Sequence, residues 1–187
     1  MAADWNLDAI LQAAWEALQH GCERASHPFH TPVLATVGDD GAQARTVVLR
    51  SVDGVRRMLS CHTDLRSPKV AELRGAPRAS WLFYDRASCV QLRCTGTAGL
   101  HHDDPVALER WQAMSPRSRA CYGQALAPGA VSDDPGVGPG SRDGYENFVV
   151  IACTLDRIDW LLLREQGHVR ALFSWQARKW QGDWIAP

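Results

Sequence analysis

The chain has 187 residues, a length that predicts a single domain over residues 1–187. Its 20 basic and 21 acidic residues give a net charge of −1, which excludes a protein held to nucleic acid or to an anionic membrane by overall charge. With 45% hydrophobic and 22% charged residues the composition is that of a globular protein, and no apolar run approaches the roughly 20 residues needed to span a membrane. The six cysteines form no CxxC pair or other metal-ligand spacing, and the N-terminus has no signal-peptide pattern, so we expect a reduced, cytoplasmic protein without a metal site.

The order of helical and strand-like segments predicts a mainly β protein. Apolar residues recur at helical spacing within residues 1–25, and Gly21 is expected to end that helix. Gly- and Asp-rich turns then separate short strand-like runs, as in β-hairpins. In chain order the predicted elements are a helix at 6–19, strands at 31–37, 44–52 and 57–63, a helix at 68–74, strands at 79–84 and 88–100, a helix starting at 104, a loop at 126–145, and, within 146–187, one bent strand or a strand pair at 147–163 and strands at 170–175 and 179–185. About seven antiparallel strands with few helices favour an antiparallel β-barrel with peripheral helices.

Two arginines flank an apolar strand segment at residues 45–50. Arg45 and Arg50 are five residues apart, so on a regular strand their side chains point to opposite faces. One face of a barrel strand usually meets the core, so at least one guanidinium must reach an anion or the barrel rim. Arginines in such a pair are more commonly solvated, and the segment alone is only a candidate anion site.

A second group of polar side chains gathers where the next helix begins. Thr63, Ser67 and Lys69 bring two hydroxyls and an ammonium to a helix N-terminus, where free N–H groups and the helix dipole favour an anion. Together with Arg45 they predict a phosphate pocket built without a Walker loop. Gln91 adds an amide that both donates and accepts, which suits the edge of a heterocycle, although an outward-facing polar strand residue would look the same.

The order of these segments resembles the FMN-binding split barrels of the pyridoxamine 5′-phosphate oxidase family. The resemblance covers roughly residues 30–120 and resumes near Asp159. The motifs that carry it are Arg-x-Val-x-Leu-Arg at 45–50, His-Thr-Asp at 62–64, Ser-x-Lys at 67–69, Leu-Phe-Tyr at 82–84, Gln-x-Arg-x-x-Gly at 91–96 and the terminal Ile-Ala-Pro at 185–187. Each motif is weak alone, but six in the family's order with its separations are specific.

The resemblance implies an FMN-binding split barrel that forms a homodimer, with FMN held at the subunit interface. It assigns the FMN phosphate to Arg45, helped by Ser67 and Lys69. It also implies that backbone lines the flavin ring at 47–49, and that the C-terminal hairpins contribute two further residues. The cofactor-binding residues it implies are Arg45, Val47, Val48, Leu49, His62, Thr63, Ser67, Lys69, Gln91, Trp160 and Arg170. His62 stands where the family usually has Tyr, so Thr63 carries over more safely than His62.

The substrate positions depart from the family's pattern. In the true oxidases the substrate phosphate is held by a Lys that ends the first motif and by a Tyr, an Arg and a Ser on a later helix; here those positions hold Arg50, Trp111, Ser115 and Arg119. The family's C-terminal Arg-x-His retains only its His, as His168. Because lost phosphate-binding arginines argue against the same substrate, we expect a different small-molecule substrate, with Arg50, Arg119 and His168 near it.

Two functions remain open from the sequence. The first is an FMN-dependent oxidoreductase that acts on an unidentified small substrate, with O2 or NAD(P)H as the other partner, in which His168 is the candidate to orient the substrate or move a proton. The alternative is a non-catalytic flavin- or haem-binding storage or sensor protein on the same barrel, in which His62 or His168 could serve as an axial haem ligand.

Overall fold

A computed structural model describes residues 5–133 and 143–187 of the chain. Its regular elements are α1 (Leu7–Glu23), β1 (Val33–Gly38), β2 (Gly41–Thr46), β3 (Ser51–Asp53), β4 (Met58–Asp64), α2 (Pro68–Gly75), β5 (Arg78–Asp85), β6 (Val90–His101), α3 (Pro105–Gln112), α4 (Pro116–Arg119), β7 (Phe148–Leu162), β8 (Val169–Gln176) and β9 (Lys179–Trp184), with 3₁₀ turns at Pro28–His30, Ala120–Tyr122 and Tyr145–Asn147.

All strand pairs are antiparallel, and the strands follow the order β2-β1-β5-β6-β7-β4-β3, with β8 beside β7 and β9 beside β8. The sheet is not closed into a barrel by this ladder. Its two ends, β2 and β3, are instead consecutive in sequence and are joined by residues 47–50. The Val47 and Leu49 amides donate to carbonyls next to β1, at Pro32 and His30, whereas the Arg50 amide donates to Ser60 on β4. This is the antiparallel split barrel that the family resemblance implies.

The inner face of the curved sheet and α1 form the main core. Trp81, Phe83, Leu34 and Leu92 are fully buried on the strands, and one face of α1 packs against them. The Asn6 side chain caps α1 by accepting a hydrogen bond from the Ala9 amide.

The first helix runs two residues past its predicted end at Gly21. A Cβ at Gly21 would lie 2.7 Å from the Phe29 Cβ, so this glycine serves a close approach rather than a helix stop.

The second helix, α2, packs against β1. Pro68 is the first residue of this helix, and its Val70 and Leu73 side chains are buried. This helix brings the predicted anion-binding residues Ser67 and Lys69 next to the end of β4.

The described residues form nine strands where the sequence predicts about seven. The predicted strand at 44–52 is two strands, because the chain changes its pairing partner from β1 to β4 between residues 46 and 51. The region 147–163 is one strand. The predicted loop at 126–145 falls partly on residues 134–142, outside the described residues. No helix within residues 5–133 and 143–187 is both long and apolar enough to cross a bilayer.

Candidate functional site

Lys69 lies at the centre of the predicted phosphate pocket. Its Nζ donates to Thr63 Oγ1 at 3.1 Å and to Ser67 Oγ at 2.5 Å. Ser67 therefore does not use its hydroxyl to cap α2, although it occupies the N-cap position. The nearby carboxylate of Asp64 is taken by Arg66, which binds it through two guanidinium nitrogens. Among the described residues Lys69 has no carboxylate within ion-pair distance, and burial, followed by the charge of Arg45, lowers the pKa of its ammonium.

Arg45 projects from β2 onto the same group. Its Nη2 donates to Glu72 Oε2 at 2.9 Å, and its Nη1 donates to the hydroxyl of Thr36, which itself donates to Glu72. Glu72 comes from α2, one turn after Lys69, so the helix carries both the free ammonium and the carboxylate that holds the arginine. The three charged side chains sum to +1.

These donors fit a phosphate monoester. An unpaired, partly buried ammonium between two hydroxyls needs an anion, and Arg45 retains N–H donors that Thr36 and Glu72 do not use. We call Arg45, Thr63, Ser67 and Lys69 the phosphate cluster. FMN is the ligand that the sequence resemblance implies here, and no residue of the cluster conflicts with its phosphate.

The segment at 47–50 leaves one backbone donor open. The amides of Val47, Leu49 and Arg50 donate to neighbouring strands, whereas the Val48 N–H has no hydrogen-bond partner among the described residues. The Leu49 side chain is fully buried in the core, so only its backbone can reach a ligand. The segment could thus offer a flavin ring the backbone contacts that the resemblance implies.

Gln91 and Arg170 lie together on the outer face of the sheet. In the ladder, Gln91 on β6 pairs with Leu161 on β7, and Leu161 pairs with Arg170 on β8. Arg170 Nε and Nη2 donate to the two oxygens of Asp159 at 3.0 and 2.8 Å, and Arg93 donates to the same carboxylate at 2.5 Å. Burial would raise the pKa of Asp159, but the hydrogen bonds from the two arginines outweigh it and hold that pKa below its usual value.

Trp160 lies on the opposite face. It is buried beneath α1, with its ring centroid 6.1 Å from that of Trp5. A cavity of about 380 Å³ between α1 and the sheet is bordered by both tryptophans. The structure therefore does not bring Trp160 together with Gln91 and Arg170, and its role at the cofactor stays a prediction.

Comparisons with known proteins agree with this geometry. The sequence profile of the family described as "Pyridoxamine 5'-phosphate oxidase, FMN-binding domain" matches residues 12–102. Pyridoxine/pyridoxamine 5'-phosphate oxidase 2 of Arabidopsis thaliana is 29% identical over 173 residues, covering 81% of this chain and 84% of that protein. Residues 12–102 therefore carry the FMN-binding domain of the pyridoxamine 5′-phosphate oxidase-like family. The described fold of the chain and the order of its motifs are those of this family.

Two solved structures extend the similarity to the whole chain. A pyridoxamine 5'-phosphate oxidase-related, FMN-binding protein of Nostoc punctiforme PCC 73102 superposes with a TM-score of 0.78 at 25% identity and covers 100% of both chains. PhzG of Burkholderia lata 383, solved with tetrahydrophenazine-1-carboxylic acid, superposes with a TM-score of 0.73 at 20% identity, covering 96% of this chain and 92% of that one. The second likeness concerns the fold alone.

His62 is a buried imidazole without hydrogen bonds. Neither ring nitrogen has a partner among the described residues, and the ring meets Phe148 edge-on at 4.9 Å between centroids. Burial, followed by the positive charges of Arg50 and Arg110, lowers its pKa to about 4, so it is neutral at pH 7. It therefore faces the Arg50 side of the molecule, whereas its neighbour Thr63 belongs to the phosphate cluster.

Arg50 is exposed and makes no side-chain hydrogen bond or ion pair among the described residues. Because residues 47–50 are not in a regular ladder, the alternation that places Arg45 and Arg50 on opposite faces does not strictly apply. The two arginines nevertheless have different surroundings: Arg45 meets Glu72, whereas Arg50 lies near His62 and Tyr122 and acts on the pKa values of both.

Arg119 and His168 have partners within the chain. Arg119 donates to the carbonyls of Trp111 and Gln112 at the C-terminal end of α3, with its guanidinium 5.5 Å from the Trp111 ring centroid. His168 lies exposed in the β7–β8 turn, where its Nδ1 accepts a hydrogen bond from the Arg164 amide. The geometry does not join either residue to Arg50, and their substrate roles remain predictions.

Three residues of the site escape the sequence reasoning: Thr36, Glu72 and Asp159. Glu72 had a usable signal, because it follows Lys69 by three residues on a predicted helix and so shares its face. Thr36 and Asp159 lie across hairpins from Arg45 and Arg170, 9 and 11 residues away along the chain, but the sequence does not give the strand register that brings their side chains together.

Proposed function

We propose that this protein binds FMN and uses it as an oxidoreductase on a small substrate. The observation that carries the proposal is Lys69, a partly buried ammonium held by two hydroxyls, coupled to Arg45 and left without a carboxylate partner in the described part of the chain. Ligation of a phosphate monoester supplies the missing negative charge. Membership of a family whose profile is described as FMN-binding supports flavin as the group attached to that phosphate.

When bound, the flavin supplies hydride and electron transfer, and the protein supplies position and polarity. The phosphate cluster fixes the phosphate end. The open Val48 N–H provides a donor for the ring edge, and Gln91 provides a side-chain amide that can donate and accept. Asp159 keeps the Arg170 guanidinium oriented on the outer face, with Nη1 left free to donate.

A homodimer with FMN at its interface is part of the proposal. Arg45 lies on the inner side of β2, whereas Gln91 lies on the outer face of β6, three strand spacings or about 14 Å away in the sheet. One chain therefore does not present both to a single flavin, and we propose that Gln91 and Arg170 on the outer face reach the flavin whose phosphate the partner chain holds. Leu82 and Tyr84, which are 37% and 44% exposed on that outer face, support its use as an interface.

The substrate is proposed to differ from pyridoxamine 5'-phosphate. The positions that hold the substrate phosphate in the family's oxidases carry Trp111, Ser115 and Arg119 here. Trp111 is buried in an aromatic cluster, and Arg119 is occupied with helix carbonyls. Of the substrate positions, Arg50 is the one with a cationic side chain that has no hydrogen bond or ion pair to the described residues.

Absorption spectroscopy of the purified protein tests cofactor binding. We expect flavin absorption bands, or their appearance when the colourless protein is mixed with FMN and desalted. A Soret band instead would indicate the haem-binding alternative, and a protein that takes up neither would refute the proposal. Size-exclusion chromatography with light scattering tests the dimer, and a flavin-loaded monomer would refute that part alone.

Turnover tests the chemistry separately. We expect little or no peroxide from pyridoxamine 5'-phosphate and O2. Robust peroxide production would show that the missing substrate ligands do not matter. Bleaching of the bound flavin by NADH or NADPH under anaerobic conditions would identify the reductant class, whereas a flavin that no reductant or small amine, alcohol or reducible compound affects would favour a storage or sensor protein.

A further inference from the structure

Glu72 holds the guanidinium of Arg45 in one orientation. Its Oε2 accepts from Arg45 Nη2 at 2.9 Å and from the Thr36 hydroxyl, and that hydroxyl accepts from Arg45 Nη1. The three side chains close a ring of hydrogen bonds. The Glu72 and Arg45 side chains are 11% and 24% exposed, so little water competes for these bonds.

The ring uses only part of the arginine. A guanidinium has five N–H donors in a fixed planar fork, and Thr36 and Glu72 consume two of them. The other three donors, including the one on Nε, have no partner among the described residues. A carboxylate on one edge therefore fixes the plane of the guanidinium and leaves donors for an anion.

We propose that Glu72 is a positioning residue for the phosphate of FMN: it orients Arg45 so that the free N–H groups of Arg45 and the ammonium of Lys69 meet the same phosphate. The inference rests on the proposed FMN-binding function. It adds a carboxylate, which by charge alone would repel a phosphate, to the machinery that binds one.

The orientation of Arg45 by Glu72 favours phosphate binding more than the negative charge of Glu72 opposes it, for two reasons. First, the cluster stays positive, because Lys69 has no carboxylate of its own in the described chain and the sum over Arg45, Lys69 and Glu72 is +1. Second, Glu72 holds Arg45 both directly and through the Thr36 hydroxyl. Without Glu72, the long Arg45 side chain loses this anchor and can turn away from Lys69.

Flavin titrations of Glu72→Ala and Glu72→Gln proteins test the proposal. FMN and riboflavin are compared, because riboflavin has the same ring and no phosphate. We expect Glu72→Ala to weaken FMN binding roughly 3- to 10-fold, the cost of ordering one flexible side chain on binding, and to leave riboflavin binding unchanged. Glu72→Gln keeps an acceptor oxygen for Arg45 and is expected to bind FMN about as well as the unmodified protein.

The matched control is Glu16→Ala, which removes an exposed helix carboxylate whose hydrogen-bond partner in the described part of the chain is Gln12; it is expected to change neither affinity. Tighter FMN binding by Glu72→Ala would show that Glu72 acts as a repelling charge and would overturn the proposal, as would unchanged FMN affinity. Equal losses for FMN and riboflavin would assign Glu72 a purely structural role. If the unmodified protein binds no FMN, the proposed function itself fails, an outcome distinct from all of these. If the Ala variant does not fold, a Gln variant that loses FMN affinity would also contradict the proposal.

Discussion

Replacement of Lys69 by Met tests whether this lysine binds a phosphate or serves only the stability of the fold. Methionine keeps the length and apolar stem of the side chain but removes its charge. In the ligand-free protein the ammonium is disfavoured by burial and by Arg45, as its lowered pKa shows. Removing it relieves both costs but also breaks the hydrogen bonds to the buried hydroxyls of Thr63 and Ser67. These effects oppose each other, so the free energy of unfolding of the apoprotein is expected to change little.

The effect on FMN binding is expected to be larger. A charge-assisted hydrogen bond to phosphate contributes about 1.5–3 kcal/mol, and every 1.4 kcal/mol is a factor of ten in affinity, so Lys69→Met is expected to weaken FMN binding roughly 10- to 150-fold. Riboflavin affinity is expected to be unchanged, because it lacks the phosphate. A purely structural defect would not leave the stability of the apoprotein intact while reducing the affinity for FMN but not for riboflavin.

Fluorescence titration with FMN and riboflavin measures the affinities, and urea denaturation of the apoprotein measures stability. The chain offers one matched control, Lys179 on β9, its only other lysine, which is exposed. Lys179→Met is expected to change neither quantity. Wild-type FMN affinity in Lys69→Met, or an equal loss for both flavins, would refute the assignment of Lys69 to a phosphate.

Three further predictions test neighbouring features. Arg45→Ala is expected to weaken FMN binding about tenfold or more, and Arg50→Ala to change it little, in the same titrations; equal losses would mean that both arginines serve one phosphate. His62→Phe is expected to reduce the loss of stability at acid pH. The pKa of His62 is about 4 in the folded protein, below the ordinary 6.5, so between these pH values the unfolded chain binds a proton that the folded chain does not. The free energy of unfolding of the unmodified protein therefore falls by about 3 kcal/mol as the pH drops from 6.5 to 4. Urea titrations at pH 7 and pH 4.5 measure this difference, and an unchanged pH dependence in the variant would contradict it. Gly96→Ala is expected to destabilise the protein by about 1–3 kcal/mol or more in urea denaturation, because its Cβ would meet the Thr154 carbonyl oxygen at 2.2 Å, whereas Gly99→Ala on the same strand, with 3.7 Å to its nearest neighbour, is expected to be tolerated; similar losses at both would refute the steric reason.

Local chemistry made much of the fold predictable. A few adjacent residues determine each of three features that the structure confirms: the turn at residues 38–41, the Ser-Pro start of α2 and the Asp104 cap of α3. The split of the predicted 44–52 strand was not predictable in this way. It arises because the chain leaves β1 and joins β4 between residues 46 and 51, and a change of pairing partner is a property of the whole sheet.

In the candidate site, too, contacts between residues close in sequence were predictable and the others were not. Thr63, Ser67 and Lys69 lie within seven residues of one another, so their sequence spacing already predicts that they meet. Glu72, which holds Arg45, comes from a helix 27 residues further along the chain. Thr36 and Asp159 are closer, across hairpins from Arg45 and Arg170, but their contacts depend on strand register. The face of Trp160 also depended on register: it pairs with Leu92 on the inner side, one residue out of step with the outward-facing Gln91.

The two arginines that the family resemblance assigns to FMN share one structural device. Arg45 is held by Glu72, and Arg170 is held through Nε and Nη2 by Asp159, each with part of the guanidinium left free to donate. A free arginine side chain must lose about 2 kcal/mol of rotamer entropy when it binds an anion, and a carboxylate that orients it beforehand reduces that cost. The carboxylates also lower the net positive charge around each arginine, which reduces the cost of keeping a guanidinium in a partly buried place. Lys69 has no such partner in the described chain, and it is therefore the cation whose charge an incoming phosphate neutralises most directly.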